Sequence, residues 1–128
     1  MKYPENFRYT KEHEWVQLEN GVATVGVTDF AQSELGEIVF VELPAIGKKV
    51  KAGDSFCVLE STKAASDVYA PVSGTVQSVN TALGEAPNTV NSAAHGEGWL
   101  VKLTDVSSAE LANLMDSSAY AAFVGGKN

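Results

Sequence analysis

The sequence predicts a mainly β protein, a sandwich or barrel of antiparallel strands with short helices near 29–35 and at the C-terminus. Three observations predict it. Strand-like runs recur along the chain with turn residues between them. Asn20-Gly21 stands between two such runs, and a two-residue type I′ turn needs positive φ at both central residues, which Asn and Gly tolerate best. The run from Glu37 to Leu43 is apolar on both faces, as a strand inside a sandwich or barrel would be.

Taken in order, His13 to Glu19 reads as a strand, Asn20-Gly21 as the turn and Val22 to Val27 as the return strand. A short helix follows near Asp29 to Leu35. Thr28 or Asp29 can cap it, Asp29 and Gln32 have capping-box spacing, and Gly36 stops it. After the Glu37–Leu43 strand, Pro44 to Gly47 turns, Lys48 to Asp54 alternates and turns again, and Phe56 to Leu59 runs up to Lys63. Asp67 to Ala70 runs back from it, limited by Pro71, which has no N–H for a ladder. Gly74 to Asn80 is a strand, Thr81 to Asn91 a loop, and Gly98 to Leu103 closes the β part. Ser107 and Glu110 have capping-box spacing ahead of Leu111, Leu114 and Met115, and a second helical turn or two is expected over Ser117 to Val124, carrying Tyr120 and Phe123, so the segment 107–124 reads as helical, with fraying over 125–128. Trp15, Trp99, Phe40 and Val41 are expected in the core. The runs that begin at Gly36 and Gly74 echo one another, each meeting another glycine (Gly47, Gly84) about ten residues on. A two-fold quasi-symmetric sandwich with Lys63 at one hairpin would produce that echo.

The chain has 128 residues, 45% hydrophobic and 20% charged, which suits a single domain over 1–128. Its net charge of −7 argues against nucleic acid and against an anionic membrane surface as partners. No segment approaches the roughly 18 apolar residues of a membrane span. The first ten residues have neither an apolar signal region nor transit-peptide character, so a cytoplasmic location is expected. The one cysteine, Cys57, lies in an apolar run and is expected to be a buried structural thiol. His13-Glu14 and His95-Gly96-Glu97 could each begin a metal site, but nothing in the sequence completes either, and no metal is expected.

Lys63 stands out because its neighbours Ser61, Thr62, Ala64, Ala65 and Ser66 are all small or hydroxylated. Three readings of it stay open on the residues alone: a solvated turn lysine, a Schiff-base lysine, or a lysine that a second enzyme acylates. A Schiff-base lysine is usually desolvated in an apolar pocket, which this surrounding does not offer. An uncluttered hairpin tip suits acylation, because it fixes the direction of the amine and leaves room for the modifying enzyme.

The stretch VLESTKAASDVYAPVSGTV (58–76) resembles the lipoyl-attachment region of the H proteins of the glycine cleavage system. YTKEHEWV (9–16), VGVTDFAQ (25–32), LGEIVFVELP (35–44), NTVN (88–91), GEGWL (96–100) and ELANLM (110–115) resemble segments of that family in the same order. The resemblance runs from about Tyr3 to Phe123. Lipoyl domains of 2-oxoacid dehydrogenases usually show Asp-Lys-Ala at the tip, and biotin carriers Met-Lys-Met. Here Thr62-Lys63-Ala64 matches neither, and Thr62 replaces a common Val of the H-protein pattern by a β-branched residue of similar size.

The resemblance implies a hybrid barrel-sandwich of the lipoyl/biotinyl type and a non-catalytic carrier. Lipoic acid would be amide-linked to Lys63, giving a tether on the order of 14 Å by bond counting. The implied partners are a pyridoxal-phosphate glycine decarboxylase (P protein), which loads an aminomethyl group on the arm, a tetrahydrofolate-dependent aminomethyltransferase (T protein), and dihydrolipoamide dehydrogenase (L protein), which reoxidises the arm. A lipoate ligase or lipoyltransferase would attach the group, with Glu60 and Ser61 as candidates for its recognition. The loaded amine would be a cation prone to hydrolysis, so a cleft with a carboxylate should hold it. Glu12, Glu14 and Asp67 are the candidates. A monomer is expected of a shuttle that visits several enzymes. An H-like relay that donates lipoyl groups to other lipoyl domains is the alternative role.

Overall fold

The computed structural model describes residues 3–125. The fraying expected at 126–128 lies outside them, and Gly125 is the last residue of the final helix. Among the described residues, nine strands form two antiparallel sheets. In chain order they are β1 (Arg8–Tyr9), β2 (Glu14–Glu19), β3 (Val22–Val27), β4 (Ile38–Glu42), β5 (Lys49–Val50), β6 (Ser55–Ser61), β7 (Ala65–Tyr69), β8 (Gly74–Val79) and β9 (Val101–Thr104). One sheet has the order β1-β2-β3-β9-β8-β5 and the other β4-β6-β7. Between them lies an aliphatic core that includes Val16, Val25, Ile38, Leu59, Val76, Leu100 and Leu103.

The β2–β3 hairpin forms where Asn20-Gly21 predicts it. Asn20 has φ 53° and Gly21 φ 79°, the two positive values of a type I′ turn. Helix α1 (Asp29–Leu35) begins at Thr28, whose hydroxyl accepts from the Ala31 amide, and ends at Gly36. Thr28 is therefore the cap, and Asp29 and Gln32 do not form a capping box: Gln32 instead accepts from the Asn91 side chain. Strand β7 begins at Ala65, two residues earlier than expected, and stops at Tyr69, before Pro71.

The expected loop over 81–91 contains a 3-10 turn at Thr81–Gly84 and a short helix, α2 (Thr89–Ser92). The last strand starts at Val101, not Gly98, because Gly98 packs against carbonyls of Thr89 and Ala93 and so lies on α2. The helical segment over 107–124 is two pieces, α3 (Ser108–Leu111) and α4 (Ser117–Gly125). Ser107 caps α3, but Glu110 does not return to it. Its carboxylate accepts from the amide and hydroxyl of Ser73 instead, tying α3 to the turn before β8. Asp116 caps α4 through the Ala119 amide.

Phe40 is a correction. It is 52% exposed, whereas Val41 is buried. The cause is a β-bulge. Ile38 pairs with Ser61 and Phe40 with Glu60, so Val39 is an extra residue on β4. The extra residue breaks the period of two, and Val39 and Phe40 both face outward. Trp99 is at the edge of the core: it is half-buried and packs against the aromatic cluster of Phe7, Tyr9, Trp15 and Tyr120, with the Lys102 ammonium 4.9 Å above its ring. Strand β8 carries a matching irregularity between Val76 and Ser78. Val39 and Gln77 each stand three residues after a glycine, Gly36 and Gly74, so the sequence echo corresponds to bulges at like positions in the two sheets.

A second cluster, of Phe7, Tyr9, Trp15, Tyr120 and Val124, packs α4 against β1 and β2. Cys57 is buried, and burial pushes its thiol up to about 12. Among the described residues no helix is long and apolar enough to cross a membrane.

Candidate functional site

Lys63 stands at the tip of the β6–β7 hairpin, and the tip is held from three sides. Within the turn, the Ser61 hydroxyl accepts from the amides of Lys63 and Ala64, each at 3.1 Å, and the Ser61 amide donates to the Ala64 carbonyl at 2.8 Å. From outside, the Thr62 amide donates to the Glu37 carbonyl at 3.1 Å. Behind that strap, the Asn91 side chain accepts from the Ile38 amide (2.8 Å) and donates to the Gly36 carbonyl (2.8 Å) and to Gln32 (2.9 Å). Asn91 thus splints the segment against which the hairpin tip rests.

The Lys63 side chain is exposed and lies along the end of α1, its amine donating to the Glu34 carbonyl at 3.4 Å. Gly36 permits this approach. It has φ 83°, and a Cβ there would stand 2.9 Å from Lys63 Cε. The positive φ is what calls for glycine here, since the exposed lysine chain could swing aside from a Cβ.

Beside Lys63 runs a cleft of about 530 Å³. Phe30, Ala31 and Leu35 of α1 supply apolar surface, and Glu12, His13, Glu34 and Ser66 supply polar groups. His13 has φ 73°, a left-handed conformation that a non-glycine residue rarely holds. It is fixed there by its neighbours. Its carbonyl accepts from the Thr28 amide, and its Nδ1 lies 2.8 Å from the Tyr120 hydroxyl, which is also 2.7 Å from Thr28 Oγ1. Helix α4, through Tyr120, therefore braces both the cap of α1 and a wall of the cleft.

The four carboxylates singled out in the sequence occupy different places. Glu12 is exposed and lines the cleft. Glu14 is only 2% exposed and is enclosed by hydrogen bonds from Thr10 and the Tyr69 amide. Burial raises its carboxyl to about 7, against the lowering effect of those bonds. Asp67 is exposed, on the face of β7 opposite Ser66, where it accepts from the Ser55 hydroxyl at 2.9 Å. Glu60 is exposed and pairs across the ladder with Phe40. Ser61, the other recognition candidate, spends its hydroxyl inside the turn.

Sequence reasoning missed Glu34 and Asn91. Ala31, Glu34 and Leu35 have the i, i+3, i+4 spacing of one helix face, which is the signal that could have found Glu34. Nothing local marks Asn91, whose partners lie 53 to 59 residues away in sequence. The histidines form no metal centre here: His95 Nε2 accepts from the Asp29 amide at 3.1 Å, and the described residues contain no group of three or more His, Cys, Asp or Glu able to hold an ion.

Two antiparallel sheets with a lysine at the tip of one hairpin define the barrel-sandwich class to which lipoyl and biotinyl domains belong. Comparison with known proteins narrows this. A family profile described as "Glycine cleavage H-protein" matches residues 7–126. The chain is 51% identical over 124 residues to the glycine cleavage system H protein of Acidobacterium capsulatum, covering 97% of this chain and 95% of that one. It is 56% identical over 117 residues to that of Phenylobacterium zucineum, covering 91% and 97%. The crystal structure of the H protein from Mycobacterium marinum superposes with a TM-score of 0.87 at 37% identity, covering 96% of this chain and 99% of that one. The chain belongs to the glycine cleavage H-protein family.

Proposed function

We propose that this chain is a carrier rather than a catalyst and bears lipoic acid in amide linkage on Lys63. Its place is between glycine decarboxylase, the tetrahydrofolate-dependent aminomethyltransferase and dihydrolipoamide dehydrogenase, after a lipoate ligase or lipoyltransferase has loaded it. The observation that carries the reading is an exposed lysine on a braced hairpin tip, directly beside a cleft of about 530 Å³. That volume is of the size that pockets for small organic groups have. When bound, the lipoyl group supplies a disulfide that takes up a one-carbon amine unit, gives it up, and is regenerated by oxidation.

The chain's own residues do the rest. Ser61 and the Asn91-held strap fix the direction in which Lys63 leaves the surface. Gly36 leaves space for the Lys63 stem to lie over the end of α1. Phe30 and Leu35 exclude water from one side of the cleft. Glu12 and Glu34 offer carboxylates to a cationic amine held in it. Glu14 and Asp67 act at a remove in this reading, Glu14 by holding β7 in place from behind.

Intact-protein and peptide mass spectrometry of chain made with lipoate supplied tests the proposal. A single lipoyl increment on the Lys63 peptide, absent in Lys63→Ala, is expected. No increment in the presence of a competent ligase would return Lys63 to an ordinary solvated turn lysine.

A further inference from the structure

The outer face of the β4-β6-β7 sheet presents one aromatic ring among carboxylates. Phe40 pairs with Glu60, Glu42 with Val58, and Val58 with Asp67. Residues directly opposite one another share a face, so Phe40, Glu42, Glu60 and Asp67 look the same way. None of the three strands contains Lys or Arg. Of the aromatic residues, all of them described, only Phe40 is exposed. The bulge that turns it outward also exposes Val39, so two adjacent apolar side chains are kept out of the core. Phe40 stays about half exposed and so forgoes part of the burial a core position would give it, and its ladder partner Glu60 stands three residues before Lys63, which suggests what offsets that loss.

We propose that Phe40, framed by Glu42, Glu60 and Asp67, anchors the enzyme that acylates Lys63, and that this enzyme meets it with an apolar socket rimmed by arginine or lysine. The inference rests on the reading of Lys63 as the attachment site. Reach selects this partner over the others. A bare lysine extends about 6 Å from its backbone, so an enzyme acting on its amine must lie against the hairpin and the face beside it. Partners that act at the end of a loaded arm can stand roughly 14 Å away. The single sign of charge on the face selects a basic rim, and an exposed aromatic ring is the side chain that such interfaces most often use as an anchor.

The test is the initial rate of Lys63 modification by a lipoate ligase supplied with lipoate and ATP, followed by mass spectrometry over a range of chain concentrations. Phe40→Ser should raise KM about tenfold with kcat within about twofold, and Phe40→Leu should recover most of the loss. Ile46→Ser, which removes a more exposed apolar side chain outside this sheet, should leave both constants unchanged. The double variant Glu42→Gln/Glu60→Gln leaves Phe40 in place, and should raise KM and flatten its dependence on salt. A wild-type chain modified at Lys63, together with a Phe40→Ser variant at the wild-type KM or altered only in kcat, would overturn the docking inference alone. A wild-type chain that is not modified would overturn the attachment reading and this inference with it.

Discussion

The carboxylate of Glu14 accepts a hydrogen bond from the Tyr69 amide at 3.1 Å, tying β2 of the larger sheet to β7 just behind the Lys63 hairpin. Because burial holds this carboxyl at about 7 against an ordinary 4.5, the folded chain binds a proton there that the unfolded chain has released. The contribution of Glu14 to stability is therefore fully present below about pH 4.5 and is lost as pH rises through about 7. The expected decline is roughly 2–3 kcal/mol for a shift of this size. Urea unfolding from pH 4.5 to 8 should show it, and Glu14→Gln, which cannot ionise, should lack this component. A variant with the same pH profile as the wild type would show that folding does not shift the Glu14 carboxyl.

Asn91 should matter more than any local feature of its sequence suggests. Asn91→Ala removes one acceptor and two donor bonds from the strap between α1 and β4, at a cost of roughly 1–3 kcal/mol in unfolding free energy. Asn91→Asp keeps the acceptor for the Ile38 amide but loses both donor bonds and sets a carboxylate against two oxygens. It should not restore stability. Denaturant titration measures both. Because the strap supports the hairpin tip, Lys63 modification should also slow in both variants at temperatures where they remain folded.

Tyr120 links the C-terminal helix to the cleft through one hydroxyl. Tyr120→Phe should cost roughly 1–2 kcal/mol, since the ring stays stacked on Tyr9 while Thr28 and His13 each lose a partner. The loosening should concentrate in α1. Hydrogen exchange at the Ala31 amide, which the Thr28 hydroxyl accepts, should quicken more than exchange in the β2–β3 hairpin. Uniform acceleration across the chain would instead mean a purely global loss of stability.

How far the sequence reaches varies with the range of the interaction that decides each feature. The β2–β3 hairpin is legible because Asn20-Gly21 sets its own backbone, and α1 is legible because a cap and a terminal glycine bracket it. The strap and hairpin residues are legible as types, glycine at 36 and small residues around Lys63, without their contacts. Phe40 was misplaced because a bulge on β4 depends on how Ser61 and Glu60 pair across the ladder, and β4 alone still reads as a regular strand.

From its own residues the sequence determined the mainly β class, the order of most strands and the lysine at a hairpin tip. Motifs spread along its length matched a known family. The class and the strands rest on local dihedral preference and on side-chain period, which neighbouring residues express together; the family match rests on the resemblance of the motifs themselves. Tertiary structure alone decided that Glu34 joins Glu12 at the cleft, that Glu14 is sealed behind the hairpin and that Asp67 lies on the opposite face of β7. It also decided that Asn91 holds the strap. Each of those outcomes depends on which distant strand or helix a segment packs against, and on whether a polar group then finds its partner there or stays in water.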